Sequence, residues 1–249
     1  GIQIYGHATV VAMAGWGAAI GAAGYSGTHT EAEVTIGTAG ATDEDVNIIA
    51  TGLYGSAIGN GQIDTHVTIQ GHVNIRTASS MCNTAIGSYS GNVTININDN
   101  VTIDTEDTAA NVDPSSGGSS IGGYINNDSN RTVVVNIDGR EDGKVKLGEN
   151  SAIFGSSGAI SGTEVKIGDN VLLKMKQRGS QYDKYIAVNN AEAAVGARSD
   201  APGAVGLVNT IGDNTELWYT DFNGVLQKIV HSKNLCKKKL VKETHATCT

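Results

Sequence analysis

Proline and aromatic side chains are scarce in this chain. The 249 residues include 2 Pro, and Phe, Trp and Tyr together make up 5%. So few rings predict a narrow core filled by Ile, Val and Ala. Glycine, in contrast, occurs 33 times, which indicates a fold built from corners rather than helices. No apolar run reaches the roughly 18 residues of a membrane span, so none is predicted.

Positive charge is also limited, and it is unevenly distributed. Residues 1–230 carry 12 Lys and Arg against 24 Asp and Glu, whereas the tail from His231 carries five Lys against Glu243 alone. Because phosphate contacts need clustered cations, this acidic body argues against a nucleic-acid partner. The run Lys237-Lys238-Lys239 is interpreted as part of a solvated tail.

Cysteine occurs three times, an odd count without metal-binding spacing. A disulfide between Cys236 and Cys248 would close a small terminal loop if the protein is secreted, and Cys82 would then be a buried thiol. The sequence alone leaves the redox state open.

A corner pattern recurs six times along the chain. It consists of an aliphatic residue, any residue, a small or acidic residue, then Asn or His, with a second aliphatic residue three positions later. Val-Thr-Ile triplets flank it in the segment from Thr84 to Asp104, and their two-residue alternation is typical of half-buried strands. Asn and Gly tolerate a left-handed backbone, so the pattern predicts a tight bend between two strands. The Asn or His of the six copies is His7, His72, Asn100, Asn150, Asn170 and Asn214.

A second repeat is a tetrad of small residues such as Thr84-Ala-Ile-Gly87. The aliphatic residues of the six tetrads are Ile20, Ile58, Ile86, Ile121, Ile153 and Val195. They lie 38, 28, 35, 32 and 42 positions apart, which predicts solenoid coils with a constant core and variable loops. We therefore expect an all-β parallel β-helix (β-solenoid) over residues 1–222, with about six coils of three short strands. Residues 223–249 are predicted to form an irregular or short helical cap and a basic tail.

These tetrads and triplets resemble the repeats of large secreted and cell-surface β-helix proteins of bacteria, which include adhesins and carbohydrate-binding proteins. The resemblance covers roughly residues 1–220. It implies an extracellular, cell-surface location and an adhesive or structural role. Surface glycans or host proteins are then possible partners, and the family supplies no fixed functional residues.

A polysaccharide-cleaving enzyme of the pectate lyase type is the main alternative, since it would share the fold. Such a site needs clustered carboxylates with Lys or Arg beside them. The outward triplet positions carry groups that do not titrate: Thr35, Asn47, Thr68, Asn74, Thr94, Thr102 and Asn136. The sequence therefore favours a protein without enzymatic activity and without a cofactor.

Acidic loops provide the only candidate metal ligands. Asp43, Glu44 and Asp45 form one group, and Asp104, Glu106 and Asp107 form another. Carboxylate oxygens suit Ca²⁺, although the spacing matches no known calcium loop and solvated turns are the preferred interpretation. His7 and His72 take the corner position of Asn and are interpreted as structural. An ice-binding role for the outward Thr residues is disfavoured because Asn and Lys interrupt their rows.

The ends of the predicted solenoid suggest self-assembly. Ile2, Ile4, Val10 and Ala12 already follow the repeat, so the first strand edge lacks a cap. Either the chain is a piece of a longer solenoid, or another subunit covers that edge. In the second case we expect head-to-tail association into a filament, with residues 1–12 meeting the region Leu217 to Val230 of the next copy.

Overall fold

A computed structural model of the protein describes residues 1–22, 31–79, 84–88, 91–107, 121–123, 132–141, 145–151, 154–156, 162–176, 195–197, 207–220 and 225–229. Within these ranges the chain forms strands and turns but no helix. The strands pair in parallel, with one exception, in curled sheets consistent with a β-helix or solenoid. Successive strands along the chain fall into three rows.

Each row stacks one strand from every repeat on the equivalent strand of the next. The first row comprises β1 (Ile2–Ile4), β4 (Glu31–Ile36), β7 (Asp64–Ile69), the first half of β10 (Val93–Asp107), β12 (Thr132–Gly139), β15 (Gly162–Ile167) and β18 (Leu207–Ile211). The second row comprises β2 (Thr9–Ala14), β5 (Val46–Gly52), β8 (His72–Ser79), the second half of β10, β13 (Val145–Ser151), β16 (Val171–Lys176), β19 (Glu216–Thr220) and β20 (Leu226–Ile229). The third row comprises β3 (Ile20–Ala22), β6 (Ile58–Asn60), β9 (Ile86–Ser88), β11 (Ile121–Gly123), β14 (Phe154–Ser156) and β17 (Val195–Ala197).

Aliphatic residues at alternate positions of the first two rows fill the core. In β10, Val93, Ile95 and Ile97 are buried while Thr94 and Asn96 face outward with partial exposure. Alternation places every second side chain on one face of a strand, so each row contributes one apolar face. Full burial of one such aliphatic side chain stabilises the fold by roughly 1.5–3 kcal/mol.

The corner between the first two rows has a left-handed residue, as the Asn and Gly pattern predicted. Gly6 and Gly71 have φ angles of 79° and 82°, and Asn170 and Asn214 have 54° and 55°. Before Asn100 the left-handed residue is Asp99 instead, with φ 72°. The corner therefore exists in two forms, with the left-handed residue at the third or at the fourth position of the pattern.

The register corrects the predicted place of Asn150. Its preceding aliphatic residue, Leu147, pairs with Ile103 and Leu173 in the second row. The equivalents of Ile97 in the first row are Ile137 and Ile167. The corner of this layer therefore follows Ile137. Asn150 lies within β13, because the segment after Leu147 matches the corner pattern without forming the corner.

The third row contains the tetrads. Ile20, Ile58, Ile86 and Ile121 are buried and follow one another in register. Phe154 and Val195 continue the row. Ile153 lies outside the described residues, and the register gives its expected place to Phe154.

Glycine ends the tetrads because the layers approach too closely there for a side chain. A Cβ on Gly87 would lie 1.8 Å from the Gly122 carbonyl oxygen, and one on Gly59 would lie 2.1 Å from the Gly87 oxygen. These glycines also adopt φ angles of 135° and 122° respectively, which disfavour any other residue.

The predicted helix beyond residue 222 is wrong for Leu226–Ile229, which forms strand β20. This strand runs antiparallel to β19, pairing Leu226 with Thr220 and Ile229 with Leu217. The segment LQKI has no alternation of apolar and polar residues. The edge of β19 offers unpaired backbone groups, and hydrogen bonding to that edge makes the segment a strand. Cys82, Cys236 and Cys248 lie outside the described residues, and the boundary at residue 222 stays a prediction.

Candidate binding surface

In the first candidate calcium group, one of the three carboxylates, Glu44, is bound by the protein's own hydrogen-bond donors. Glu44 Oε1 accepts hydrogen bonds from the Gly6 backbone N–H at 3.2 Å and from Thr38 Oγ1 at 2.6 Å, and Oε2 accepts one from the Thr38 N–H at 2.9 Å. The Thr38 hydroxyl is the largest cause of a pKa held below the ordinary value of 4.5 for this carboxyl. Asp43 and Asp45 on either side are exposed. Glu44 therefore connects the backbone at Gly6 to Thr38 at this corner.

The second calcium group is spread along one strand. Asp104, Glu106 and Asp107 all lie in β10, and Asp104 is exposed beside Arg76 of β8 in register. The side chains of Glu106 and Asp107 are outside the described part of the structure. In that part, no three His, Cys, Asp or Glu side chains come together as a metal site would require. The same part contains no helix with the length and apolar character of a membrane span.

The segment 37–45 joins several layers at the first corner. The Glu44 carbonyl oxygen lies 2.9 Å from His72 Nδ1 of a later layer. The Gly40 N–H donates to Asp99 Oδ2 at 2.9 Å, and Arg140 Nη1 donates to the Gly40 carbonyl at 3.0 Å. This loop therefore runs along the stack and connects layers up to 100 residues apart in sequence.

Polar side chains form ladders on the outward faces. Asn74 Nδ2 donates to Asn47 Oδ1 at 3.3 Å, and Asn136 Nδ2 donates to Asn96 Oδ1 at 2.9 Å. In the second row, Thr9, Asn47 and Asn74 follow each other in register. Asparagine amides can donate and accept at once, which lets one layer bond to the next.

Large apolar side chains are exposed mainly near the N-terminal end. Of the eight that are most exposed among the described residues, seven lie between residues 5 and 54, and the eighth is Val225. We call five of them the N-terminal patch: Val11, Met13, Trp16, Ile49 and Tyr54. Val11 and Met13 are each 74% exposed although they sit in a regular strand. Val11 and Ile49 are neighbours in register, and exposed apolar residues on adjacent strands are typical of an interaction site.

The aromatic members of the patch stack on each other. The ring centroids of Trp16 and Tyr54 are 4.5 Å apart with an interplanar angle of 17°. Backbone bonds bring them together, because the Tyr54 N–H donates to the Gly15 carbonyl at 2.8 Å. Both rings remain open to solvent, with Trp16 66% and Tyr54 42% exposed.

The outward-facing residues of the second row change from apolar to charged along the stack. Val11 pairs with Ile49, Ile49 with Arg76, and Arg76 with Asp104. In sequence, residues 1–75 contain six Asp and Glu and neither Lys nor Arg.

Comparison of the chain with known protein families, with characterised proteins and with solved structures finds no match.

The sequence reasoning missed the N-terminal patch. Its signal was present in the segment Thr9–Ala14, TVVAMA, which is apolar on both strand faces, and in the lack of cations before Arg76.

Proposed function

We propose that this chain is a parallel β-helix of six coils with three short strands each, and that it serves as a non-enzymatic, extracellular structural or adhesive module at a cell surface. The observation that supports this role is the pair of outward Asn ladders, Asn47 to Asn74 and Asn96 to Asn136. They present neutral hydrogen-bonding groups in rows at about 4.8 Å spacing, which suits a rigid scaffold or repeated weak contacts.

The test of this role is incubation with pectins, glucans and host glycans, together with a binding array. We expect no released product and weak, multivalent recognition on the array. Turnover that disappears when Asp104 or Asp107 is replaced by Asn would overturn the proposal and indicate a lyase or hydrolase.

Polysaccharide binding is the second candidate function, and the exposed Trp16–Tyr54 stack favours it. The electron-rich face of an aromatic ring packs against the C–H groups of a sugar ring. If this is the function, Trp16→Ala will abolish retention on the glycans that the parent chain binds, while Val134→Thr, an outward change in β12, will leave retention unchanged.

A further inference from the structure

The outward faces of β2 and β5 have no charged side chain. Inward and outward residues alternate along both strands, and the outward ones are Thr9, Val11, Met13, Asn47, Ile49 and Thr51. Val11 and Ile49 are neighbours in register at the centre of this face, with Thr and Asn side chains around them. Protein interfaces have such centres, which are apolar, rich in Met and aromatic residues and poor in charge, within a polar border. The face therefore has the composition of a protein contact.

Charged residues limit this face along the stack. The outward side of each later parallel strand of the second row has a charged residue: Arg76 in β8, Asp104 in β10, Lys146 in β13, Lys174 in β16 and Glu216 in β19. A two-fold contact brings each residue close to its own copy or to the copy of a neighbour, so charges of one sign inside it repel each other. Among these parallel strands, only β2 and β5 meet the requirement for an uncharged contact of this kind.

Two arrangements would place the N-terminal patch against its own copy, and the charges distinguish them. If the two stacks run parallel, each layer faces the same layer of the partner, so Arg76 meets the partner's Arg76. If the stacks run antiparallel about a two-fold axis between β2 and β5, Val11 faces the partner's Ile49 and Ile49 faces the partner's Val11. Arg76 then lies outside the contact. The antiparallel arrangement therefore pairs apolar residues without bringing like charges together, and face-to-face packing of aligned sheets is a common geometry.

We infer that the N-terminal patch is the contact surface for a second copy of this chain, packed face to face with antiparallel stacks. β2 of each copy lies on β5 of the other, and the contact closes as an isologous dimer. The Trp16–Tyr54 stack borders it, because both rings follow directly after these strands. The contact goes beyond the proposed function, since neither adhesion nor catalysis is needed for it. It also differs from the head-to-tail contact expected from the strand edges, which stays a prediction.

A charge at Ile49 tests the contact on the whole chain. Ile49→Lys and Ile49→Glu each place a charge about one layer spacing from the same charge on the partner. Both variants retain the fold, because Arg76 and Asp104 occupy the same outward position in the next two layers, and circular dichroism checks this. The patch is small beside a standard interface of roughly 20–30 residues a side, so the dimer is weak. We expect sedimentation equilibrium to give a Kd below about 1 mM for the parent and a Kd about tenfold or more higher for each variant alone.

An equimolar mixture of the two variants provides the decisive measurement. Opposite charges then meet across the two-fold axis, so the mixture will form 1:1 heterodimers at concentrations where each variant alone is monomeric. Raising the salt from about 0.1 M to about 1 M will weaken the heterodimer but not the parent dimer, whose contact is uncharged. Thr68→Lys is the matched control, because it adds the same charge to the first row at a position that Lys166 occupies in a later layer. It will dimerise like the parent.

Three outcomes would overturn the inference: a parent chain that is monomeric up to about 1 mM, a mixture that stays monomeric, or Ile49 variants that dimerise like the parent. A monomeric parent whose retention on glycans is lost in Ile49→Lys would assign the patch to a polysaccharide instead. The test of the proposed function is separate, because release of product from a polysaccharide would overturn the non-enzymatic role and leave the dimer standing.

Discussion

The glycine that ends a tetrad is the residue whose identity the fold constrains most tightly. At Gly87, the neighbouring carbonyl of Gly122 occupies the place of a Cβ, and φ is 135°. The tetrad pattern predicts a repeated glycine but does not explain why glycine is required. The requirement comes from close approach to a layer 35 residues away in sequence. Only the stacked structure explains why alanine is excluded there.

We predict that Gly87→Ala lowers the free energy of unfolding by about 3 kcal/mol or more, because overpacking and backbone strain act together. Gly15→Ala is the matched control. A Cβ there meets nothing within 4 Å, so the change is expected within about 0.5 kcal/mol. Urea unfolding of both variants measures the difference, and equal stabilities would show that the layers are not packed as described.

Residue patterns predicted the strands better than they predicted register. The pattern predicts separate strands for the triplets Val93-Thr-Ile95 and Val101-Thr-Ile103. Both lie in β10, which turns from the first row to the second at Asp99. Asn150 was misplaced because Leu147 fits either row by its apolar character. Periodicity identifies which side chains face inward, but it does not say which row a short strand joins.

The structures of strand β20 and of the loop 37–45 depend on tertiary contacts more than the register of the rows does. Strand β20 gave no alternation, because pairing with the edge of β19 determined its conformation. The carboxylates of the loop 37–45 are candidate calcium ligands in sequence, with solvated turns preferred, whereas Glu44 accepts hydrogen bonds from backbone N–H groups and the Thr38 hydroxyl. Both cases involve hydrogen bonds between distant residues, which a local pattern does not encode.

The hydrogen-bonded carboxylate of Glu44 in the loop 37–45 makes the free energy of unfolding depend on pH. The pKa of Glu44 is lowered in the folded chain, chiefly by the Thr38 hydroxyl. The ionised carboxylate therefore stabilises the fold fully above its ordinary pKa of 4.5, and this contribution is lost as the pH falls through the lowered folded value. We predict that Glu44→Gln destabilises the chain at neutral pH and that its difference from the parent shrinks in acid.

Urea unfolding of the parent and Glu44→Gln from about pH 7 to pH 3 measures this difference. Asp43→Asn is the control, because Asp43 is an exposed neighbour in the same loop. A Glu44→Gln effect that is constant across this range would show that packing, and not the charge of Glu44, holds the loop.

For the whole molecule, the parallel rows imply that stability is distributed between neighbouring layers. The parallel strands of each layer pair only with strands of the layer before and the layer after it, so a residue in the middle has two sets of partners and one near an end has fewer. Ile20 and Ile86 test this expectation, since both occupy the same row of tetrads. Ile86 is fully buried between β6 and β11, whereas Ile20 retains 5% exposure and pairs with β6 alone among the described strands.

We predict that Ile86→Ala costs about 3–5 kcal/mol and Ile20→Ala clearly less, because the cavity in the middle is enclosed by side chains from both neighbouring layers. Urea unfolding provides the two free energies. Hydrogen exchange shows where each variant loosens: Ile20→Ala should affect β3 and β6 first, and Ile86→Ala should affect both halves of the stack. Equal costs with uniform loosening would mean that the chain unfolds as one cooperative unit, in which position along the stack has no influence.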